Sequence, residues 1–347
     1  MNTQQPGQIV LMGSGETSPN MQRVYRWLFQ QIPPPVRVAI LETPAGFEVN
    51  SHHVAAQIGA YLEHHLQNFA PQVTIVPARK RGTAFSPDDP KLIEPLYEAN
   101  VILMGPGSPS YAVRQLQESV TWHTLRALHR QGTALMFASA GALALSVQTL
   151  PVYEIYKVGE DVHVKDGLDF FADFGMQVSF VPHWNNAEGG VDLDTSRCFI
   201  GMERFNQWRN LTPSDNIIVG LDEHSGIIMD CEKGVCDVHG VSSVSVLKSD
   251  TSEMYASGSS FSLMELGNCA PPNPIEKGIR SEVWEMITSA QSAETDEPSE
   301  EVLALLEQRQ QARANKDFAE SDRLRDQISS LGWTVQDSKA GQTLVKK

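Results

Sequence analysis

A lone serine follows an apolar run, and its setting is one in which serine can act as a nucleophile. Residues 135–138 (Leu-Met-Phe-Ala) are typical of a buried strand, and residues 140–143 (Ala-Gly-Ala-Leu) begin a helix-forming segment directly after Ser139. A sharp strand–turn–helix lifts a serine hydroxyl above the end of a sheet, because only small neighbours let the chain reverse there. Small residues also occur where a buried helix packs closely on a strand, and Phe137 stands where such turns usually have glycine. Both a catalytic and a packing role for Ser139 stay open.

The elements that would position Ser139 alternate between strands and helices. Strands separated by helical patterns predict an α/β fold with three layers, in which a mostly parallel sheet is covered by helices on both faces. Ligands of such sheets bind at the carboxyl ends of the strands. We therefore expect the loops at Gly13, Thr43, Gly105 and Ser139 to share one rim. The predicted strands are residues 8–12, 36–41, 73–76, 100–104 and 134–138.

A glycine loop precedes the serine at Gly105-Pro106-Gly107. It lacks the lysine of a phosphate-binding P-loop, which favours a loop that offers backbone N–H groups. If Ser139 attacked a carbonyl, the oxyanion would need two such donors. Ala140 would supply one, and Gly107 or Ser108 the other.

A histidine follows the next predicted strand, residues 178–181. His183 would thus lie on the same rim as Ser139, where a general base is needed, although a single histidine is often a structural hydrogen-bonding residue. An acid between the two could orient the imidazole. Glu154, which has apolar neighbours, is preferred here over Glu160 and Asp161, and a solvated surface acid remains the alternative for each of them.

The remainder of the chain falls into a finishing sheet, a linker and a tail. Residues 216–248 predict a β-meander that completes an α/β domain over residues 1–285. An acidic segment rich in Pro and Ser, residues 286–299, is expected to be a linker. Residues 300–347 then predict a helical hairpin with a small terminal β-hairpin.

Composition excludes several classes of protein. The 347 residues carry a net charge of −15, which argues against broad nucleic-acid binding, and the eight acids and eight bases from residue 299 onward cancel. With no signal-peptide pattern and no apolar run of about 20 residues, a cytoplasmic protein without a membrane span is expected. Cys231, Cys236 and His239 could bind zinc, but a hairpin explains them better, so no metal and no cofactor is predicted.

Several of these stretches, in this order, resemble the S51 serine-peptidase family, which includes dipeptidase E and cyanophycinase and has the class I glutamine amidotransferase-like fold with flavodoxin-like winding. The resemblance implies that Ser139 attacks an amide, that His183 transfers the proton, and that a small peptide or amide is the substrate. Glu16, Asn185 and Glu223 lie in or beside the matching stretches and are candidate substrate-binding residues. The matching segments are residues 12–16, 104–107, 139–142, 183 and 220–226.

The tail has a separate resemblance. Residues 307–326, with Leu331-Gly332 and Asp337, look like the C-terminal end of cysteinyl-tRNA synthetases, whose catalytic motifs this chain lacks. Without net positive charge, tRNA binding by the tail is a weaker interpretation than a packing or partner module. The leading hypothesis is a serine hydrolase. The alternatives are an inactive ligand-binding relative and an RNA-associated protein, and homo-oligomerisation stays open.

Overall fold

A central sheet of eight strands organises the larger part of the computed structural model, which describes residues 5–294, 298, 300–338 and 341–346. The chain divides into two compact units, Met1–Trp284 and Glu285–Lys347. The strands are β1 (Ile9–Met12), β2 (Arg37–Leu41), β3 (Gln72–Val76), β4 (Val101–Met104), β5 (Ala134–Ala138), β6 (Gln148–Thr149), β7 (Lys165–Asp166), β8 (Val178–Val181), β9 (Ile217–Leu221), β10 (Ser225–Asp230), β11 (Val235–Gly240), β12 (Ser243–Leu247), β13 (Ser252–Ala256), β14 (Ser260–Ser262), β15 (Trp333–Ser338) and β16 (Gly341–Lys346).

Helices connect most of the strands of the larger unit, and two more form the smaller one. None of the helices described is both long and apolar enough to cross a membrane. The helices are α1 (Gln22–Gln31), α2 (Ser51–His65), α3 (Pro95–Glu98), α4 (Pro109–Leu116), α5 (Val120–Arg130), α6 (Ala140–Ala144), α7 (Gly201–Leu211), α8 (Ser281–Glu294), α9 (Glu300–Ala314) and α10 (Phe318–Ser330).

The central sheet has the order β14-β11-β10-β1-β5-β4-β2-β3 and is parallel from β1 to β3. Strands β1, β4 and β5 are buried along their whole length, as expected for parallel strands covered on both faces. The order β3-β2-β4-β5 is that of flavodoxin-like winding, and β1 takes the next position. The predicted mostly parallel α/β fold is confirmed.

The two faces of the sheet bury different helices. On one face, Leu28 of α1 and Ile58 of α2 pack with Met136 of β5 in a continuous apolar core. On the other face, the ring of Phe170 contacts both Phe137 of β5 and Trp122 of α5. Side chains alternate along a strand, so β5 contributes to both cores and is held firmly in place.

A second sheet, with the order β13-β12-β9-β8, carries the chain after Ser139. Strand β9 pairs in parallel with β8 and antiparallel with β12, whereas β10 and β11 extend the central sheet next to β1. The predicted meander over residues 216–248 is therefore wrong, because β9 and β12 pair in the second sheet while β10 and β11, which lie between them in the chain, pair in the central sheet. Helix α7 buries Phe205 and Trp208 in the apolar core beside the second sheet.

The smaller unit consists of a helix pair and a hairpin. Helices α9 and α10 pack on each other, and β15 pairs antiparallel with β16 around a core of Val302, Ile328, Trp333 and Val335. The predicted helical C-terminal region of the fold is confirmed. Helix α8 continues to Glu294, so the first part of the predicted linker 286–299 is helical, while residues 295–297 and 299 lie outside the described residues.

One buried cation of this unit depends on a single carboxylate. Arg309 is 1% exposed, and its Nη1 and Nη2 donate to Oδ1 and Oδ2 of Asp337, each at 3.0 Å. Arg313 donates a further bond to Asp337. The hydrogen bonds from Arg309, and next those from Arg313, lower the pKa of Asp337 from 3.8 to about 2.

Replacing Asp337 by asparagine is expected to destabilise this unit by about 1–3 kcal/mol, because it leaves the Arg309 guanidinium buried without a carboxylate. The pKa of Asp337 is lower in the folded chain, so its stabilisation is complete above about pH 4 and is lost as the pH falls toward about 2. Hydrogen exchange of α9 and α10 amides, with Asp326→Asn as a control on the exposed surface of α10, measures the effect. Equal protection in both variants would contradict it.

Candidate active site

Ser139 lies between β5 and α6 in a conformation that few non-glycine residues adopt. Its φ is 50° and its ψ is −116°, and its backbone N–H donates to the carbonyl of Met12 at 3.2 Å. Positive φ at a serine costs free energy and persists only where the surrounding structure enforces it. The turn places the Ser139 side chain at the carboxyl end of the central sheet.

Small neighbours make this turn fit. A Cβ on Gly141 would lie 2.4 Å from the carbonyl oxygen of Met104, so helix α6 can approach the end of β4 only with glycine there. Phe137, the residue that counted against a tight turn in the sequence, is 1% exposed and packs with its ring centroid 6.4 Å from that of Phe170. Its side chain lies in the core beside α5, and the turn forms without glycine at this position.

His183 follows β8 and contacts the serine directly. Its Nε2 is 3.0 Å from Ser139 Oγ, and its backbone N–H donates to the carbonyl of Gly13 at 3.3 Å. A Cβ on Gly13 would come within 2.1 Å of the carbonyl oxygen of Asp222. Loops of the two sheets thus meet at Gly13 in a close backbone contact, which sets the distance between the serine and the histidine.

The acid that contacts the imidazole is Glu223, which follows β9. Its Oε1 accepts from His183 Nδ1 at 2.8 Å and from Asn186 Nδ2 at 2.9 Å. The hydrogen bond from His183 is the main cause that lowers the pKa of Glu223, so the carboxylate stays ionised near neutral pH. Because this carboxylate can only accept, Nδ1 carries the proton and Nε2 is free to accept from the Ser139 hydroxyl.

Glu154 is elsewhere, which corrects the prediction that it orients His183. It lies in a π-helical turn, and its Oε1 accepts from Lys165 Nζ at 2.7 Å. Burial acts to raise the pKa of Glu154, but hydrogen bonds, that from Lys165 first, lower it overall. Of the alternatives, the carboxylate of Glu160 lies 3.6 Å from His163 Nε2, and Asp161 contacts His163 Nδ1 through its backbone carbonyl at 2.8 Å. Their position between Ser139 and His183 in the chain does not bring them to the imidazole.

Two backbone N–H groups beside the serine stay free. Within the described part of the chain, the amides of Gly107 and Ala140 donate to no other group, whereas the amide of Ser108 donates to the carbonyl of Pro44 at 2.9 Å. Gly107 has a φ of 143°, and a Cβ there would lie 2.1 Å from the same carbonyl oxygen of Pro44. Of the two residues predicted as second donor, Gly107 is the one with an available N–H.

The other predicted substrate-binding residues have different surroundings. Glu16 Oε1 is buried without a hydrogen-bond partner among the described residues. Burial raises the pKa of Glu16, while His183 is among the groups that act to lower it, which places the carboxyl within electrostatic range of the site. Asn185 Oδ1 accepts from the backbone N–H of Glu223 at 2.8 Å, so Asn185 fixes the loop that carries Glu223.

The cysteines form no metal centre in the described residues, which contain no group of three or more His, Cys, Asp or Glu side chains arranged around an ion. All four thiols are free. Cys231 and Cys236 flank the turn between β10 and β11, where Gly234 has a φ of 63°, as the hairpin interpretation predicted.

The fold of the larger unit is that of a known peptidase. The structure of a peptidase from an acI-B1 Actinobacterium superposes with a TM-score of 0.60 at 21% sequence identity, covering 75% of this chain and 98% of that one. At this identity the likeness concerns the fold. The predicted resemblance of this unit to peptidases is confirmed at that level.

The tail is similar to a different class of protein. Residues 295–344 match the family described as the cysteinyl-tRNA ligase anticodon binding domain. The cysteine–tRNA ligase of Pseudomonas fluorescens (strain Pf0-1) is 56% identical over 43 residues, which are 12% of this chain and 9% of the ligase. That of Desulfovibrio desulfuricans is 61% identical over 41 residues, 12% of this chain and 8% of the ligase. The chain thus spans less than a tenth of these relatives, and the predicted resemblance of the tail is confirmed.

Proposed function

We propose that the larger unit is a serine hydrolase that cleaves the amide bond of a small peptide or related amide. The observation that carries the proposal is the hydrogen-bonded series Ser139 Oγ, His183 Nε2, His183 Nδ1 and Glu223 Oε1, with distances of 3.0 and 2.8 Å. A nucleophile, a base and an acid that orients the base are the groups that acyl transfer needs. The peptidase fold supports this class of reaction.

In the proposed mechanism, Ser139 Oγ attacks the carbonyl carbon while its proton passes to His183 Nε2. Glu223 stabilises the imidazolium that forms, and the N–H groups of Gly107 and Ala140 bind the oxyanion. His183 then gives the proton to the departing amine as the C–N bond breaks. Water, activated by the same imidazole, hydrolyses the ester on Ser139 and restores the free hydroxyl.

Glu16 gives a reason to prefer a substrate with a free amino group. A buried carboxylate oxygen without a partner is costly, and an ammonium group in the site would supply one. We therefore propose an exopeptidase or small-amide hydrolase in which Glu16 binds a cationic group of the substrate. Asn185 and Glu223 act on His183 and its loop instead.

Labelling with a fluorophosphonate probe tests the hydrolase proposal. The folded chain should take up one probe molecule on Ser139, found by mass spectrometry of the digest, because only an activated serine reacts quickly with such probes. A folded chain with no label on Ser139 and no turnover of a dipeptide library would instead support the alternative of an inactive ligand-binding protein.

The tail suggests a second activity, binding of tRNA, since the matching family is described by anticodon binding. Its acids and bases cancel, which favours a packing or partner role. Filter binding of tRNA to the full chain and to a chain ending at residue 299 separates the two roles. Equal, weak retention of tRNA by both chains would end the RNA hypothesis. We also propose a cytoplasmic location, with which the four free thiols agree.

A further inference from the structure

Three consecutive residues beside His183 have left-handed backbone conformations. The φ values of Arg197, Cys198 and Phe199 are 59°, 60° and 71°. None of them is glycine, so each adopts a conformation that L-residues rarely take and that persists only when neighbouring contacts enforce it. Such strain indicates that contacts with neighbouring residues hold this segment in position.

The segment is fastened to the loop of the imidazole. The N–H groups of Arg197 and Cys198 donate to the carbonyls of Trp184 and His183, at 3.0 and 3.1 Å. The Arg197 guanidinium also donates to the Trp184 carbonyl and lies 3.9 Å from the centroid of the Trp184 ring. These contacts hold the strained turn in place, and the turn fixes the position of the next residue, Phe199.

Phe199 and Tyr156 form an aromatic wall next to His183. The ring centroid of Phe199 is 5.0 Å from that of His183 and 5.9 Å from that of Tyr156. One side of Phe199 packs on the apolar core that includes Trp184, while Tyr156 is 39% exposed. A half-exposed aromatic pair against a catalytic base offers an apolar surface within one side chain's reach of the reacting bond.

The contact of Phe199 with His183 relates the wall to the leaving-group half of a substrate. His183 must reach the amine nitrogen to protonate it, whereas the free N–H groups of Gly107 and Ala140 define the position of the carbonyl oxygen. The ring that packs against His183 therefore borders the amine half of the substrate. Resting on the proposed hydrolase function, we propose that Tyr156 and Phe199 select substrates whose leaving amine carries an aromatic or large aliphatic side chain.

Binding of leaving-group amides in the absence of turnover tests this selectivity. In the full chain carrying Ser139→Ala, ligand-observed NMR gives the dissociation constants of phenylalaninamide, leucinamide and glycinamide. We expect phenylalaninamide to bind about 10-fold more tightly than glycinamide or better, and Tyr156→Ala to reduce this preference about 3- to 10-fold. Tyr156→Phe should preserve the preference. Tyr255→Ala should do so too, because it removes a ring of the remote strand β13 that stacks on Phe261 of β14.

The outcomes separate this proposal from the hydrolase function. Equal binding of the three amides, or a preference that survives Tyr156→Ala, overturns the aromatic subsite. Labelling of Ser139 in the wild-type chain is a separate readout. If the chain prefers phenylalaninamide through Tyr156 but Ser139 is not labelled, the aromatic subsite exists and the hydrolase proposal fails. If Ser139 is labelled but the three amides bind equally, the hydrolase proposal stands and the aromatic subsite is excluded.

Discussion

Ser139→Ala is expected to lower kcat/KM for amide substrates by about 10³- to 10⁶-fold, because alanine leaves His183 without a nucleophile to deprotonate. The residual rate would come from substrate binding and from the free N–H groups of Gly107 and Ala140, which the substitution leaves in place. The variant should still fold, since the side chain lost is a small hydroxyl at the sheet end. The backbone strain at position 139 should stay nearly the same, because positive φ is as unfavourable for alanine as for serine.

The measurement is steady-state turnover of a peptide found by library screening, with fluorophosphonate uptake as a second readout. Ser259→Ala is the matched control, since Ser259 lies in the turn between β13 and β14 and its hydroxyl donates only to the nearby carbonyl of Ala256. A Ser139→Ala variant that keeps more than about a tenth of the wild-type rate would assign the nucleophile to another residue.

Glu223→Gln is expected to lower kcat by about 10²- to 10⁴-fold with little change in KM, whereas Glu154→Gln leaves both nearly unchanged. The glutamine amide can offer an N–H to His183 Nδ1, which favours the tautomer whose Nε2 carries the proton and cannot accept from Ser139. It also removes the charge that stabilises the imidazolium. Glu154 instead pairs with Lys165 and has no contact with His183.

Kinetics and stability together distinguish a positioning role of Glu223 from a merely structural one. Wild-type thermal stability with low kcat is the expected result, and Glu223→Asp should recover part of the rate because it keeps the charge on a shorter side chain. A Glu154→Gln variant as slow as Glu223→Gln would contradict this assignment and return the acid to the segment between Ser139 and His183.

Much of the candidate site can be predicted from the sequence, because its residues follow a local rule. The apolar runs of β5, β8 and β4 are easy to recognise, and Ser139, His183 and Gly107 each follow the end of one of them closely, where the carboxyl ends of parallel strands converge. Phe137 departs from the glycine usual at this position of such turns, but side-chain alternation along β5 places its ring in the core, away from the turn.

The position of Glu223 beside His183 is harder to predict from the sequence, because it depends on contacts between distant segments. The sequence shows residues 216–248 only as a series of short strands, and the family resemblance makes Glu223 a candidate substrate-binding residue. The parallel pairing of β8 with β9, which brings Glu223 beside His183, joins segments about 40 residues apart and leaves no periodic signal. The same strand-end rule applied to residues 217–221 would have suggested it.

The close contact at Gly13 makes the proposed activity of this protein depend on two sheets at once. Ser139, the proposed nucleophile, is carried by the central sheet, and His183 and Glu223 are carried by the second, so a slip of one sheet against the other by about one ångström would break the 3.0 Å contact between Ser139 and His183. Neither sheet would need to unfold for this to happen. The rate of hydrolysis would therefore depend on the alignment of the two sheets. On heating, this rate would fall at a lower temperature than the one at which the secondary structure is lost.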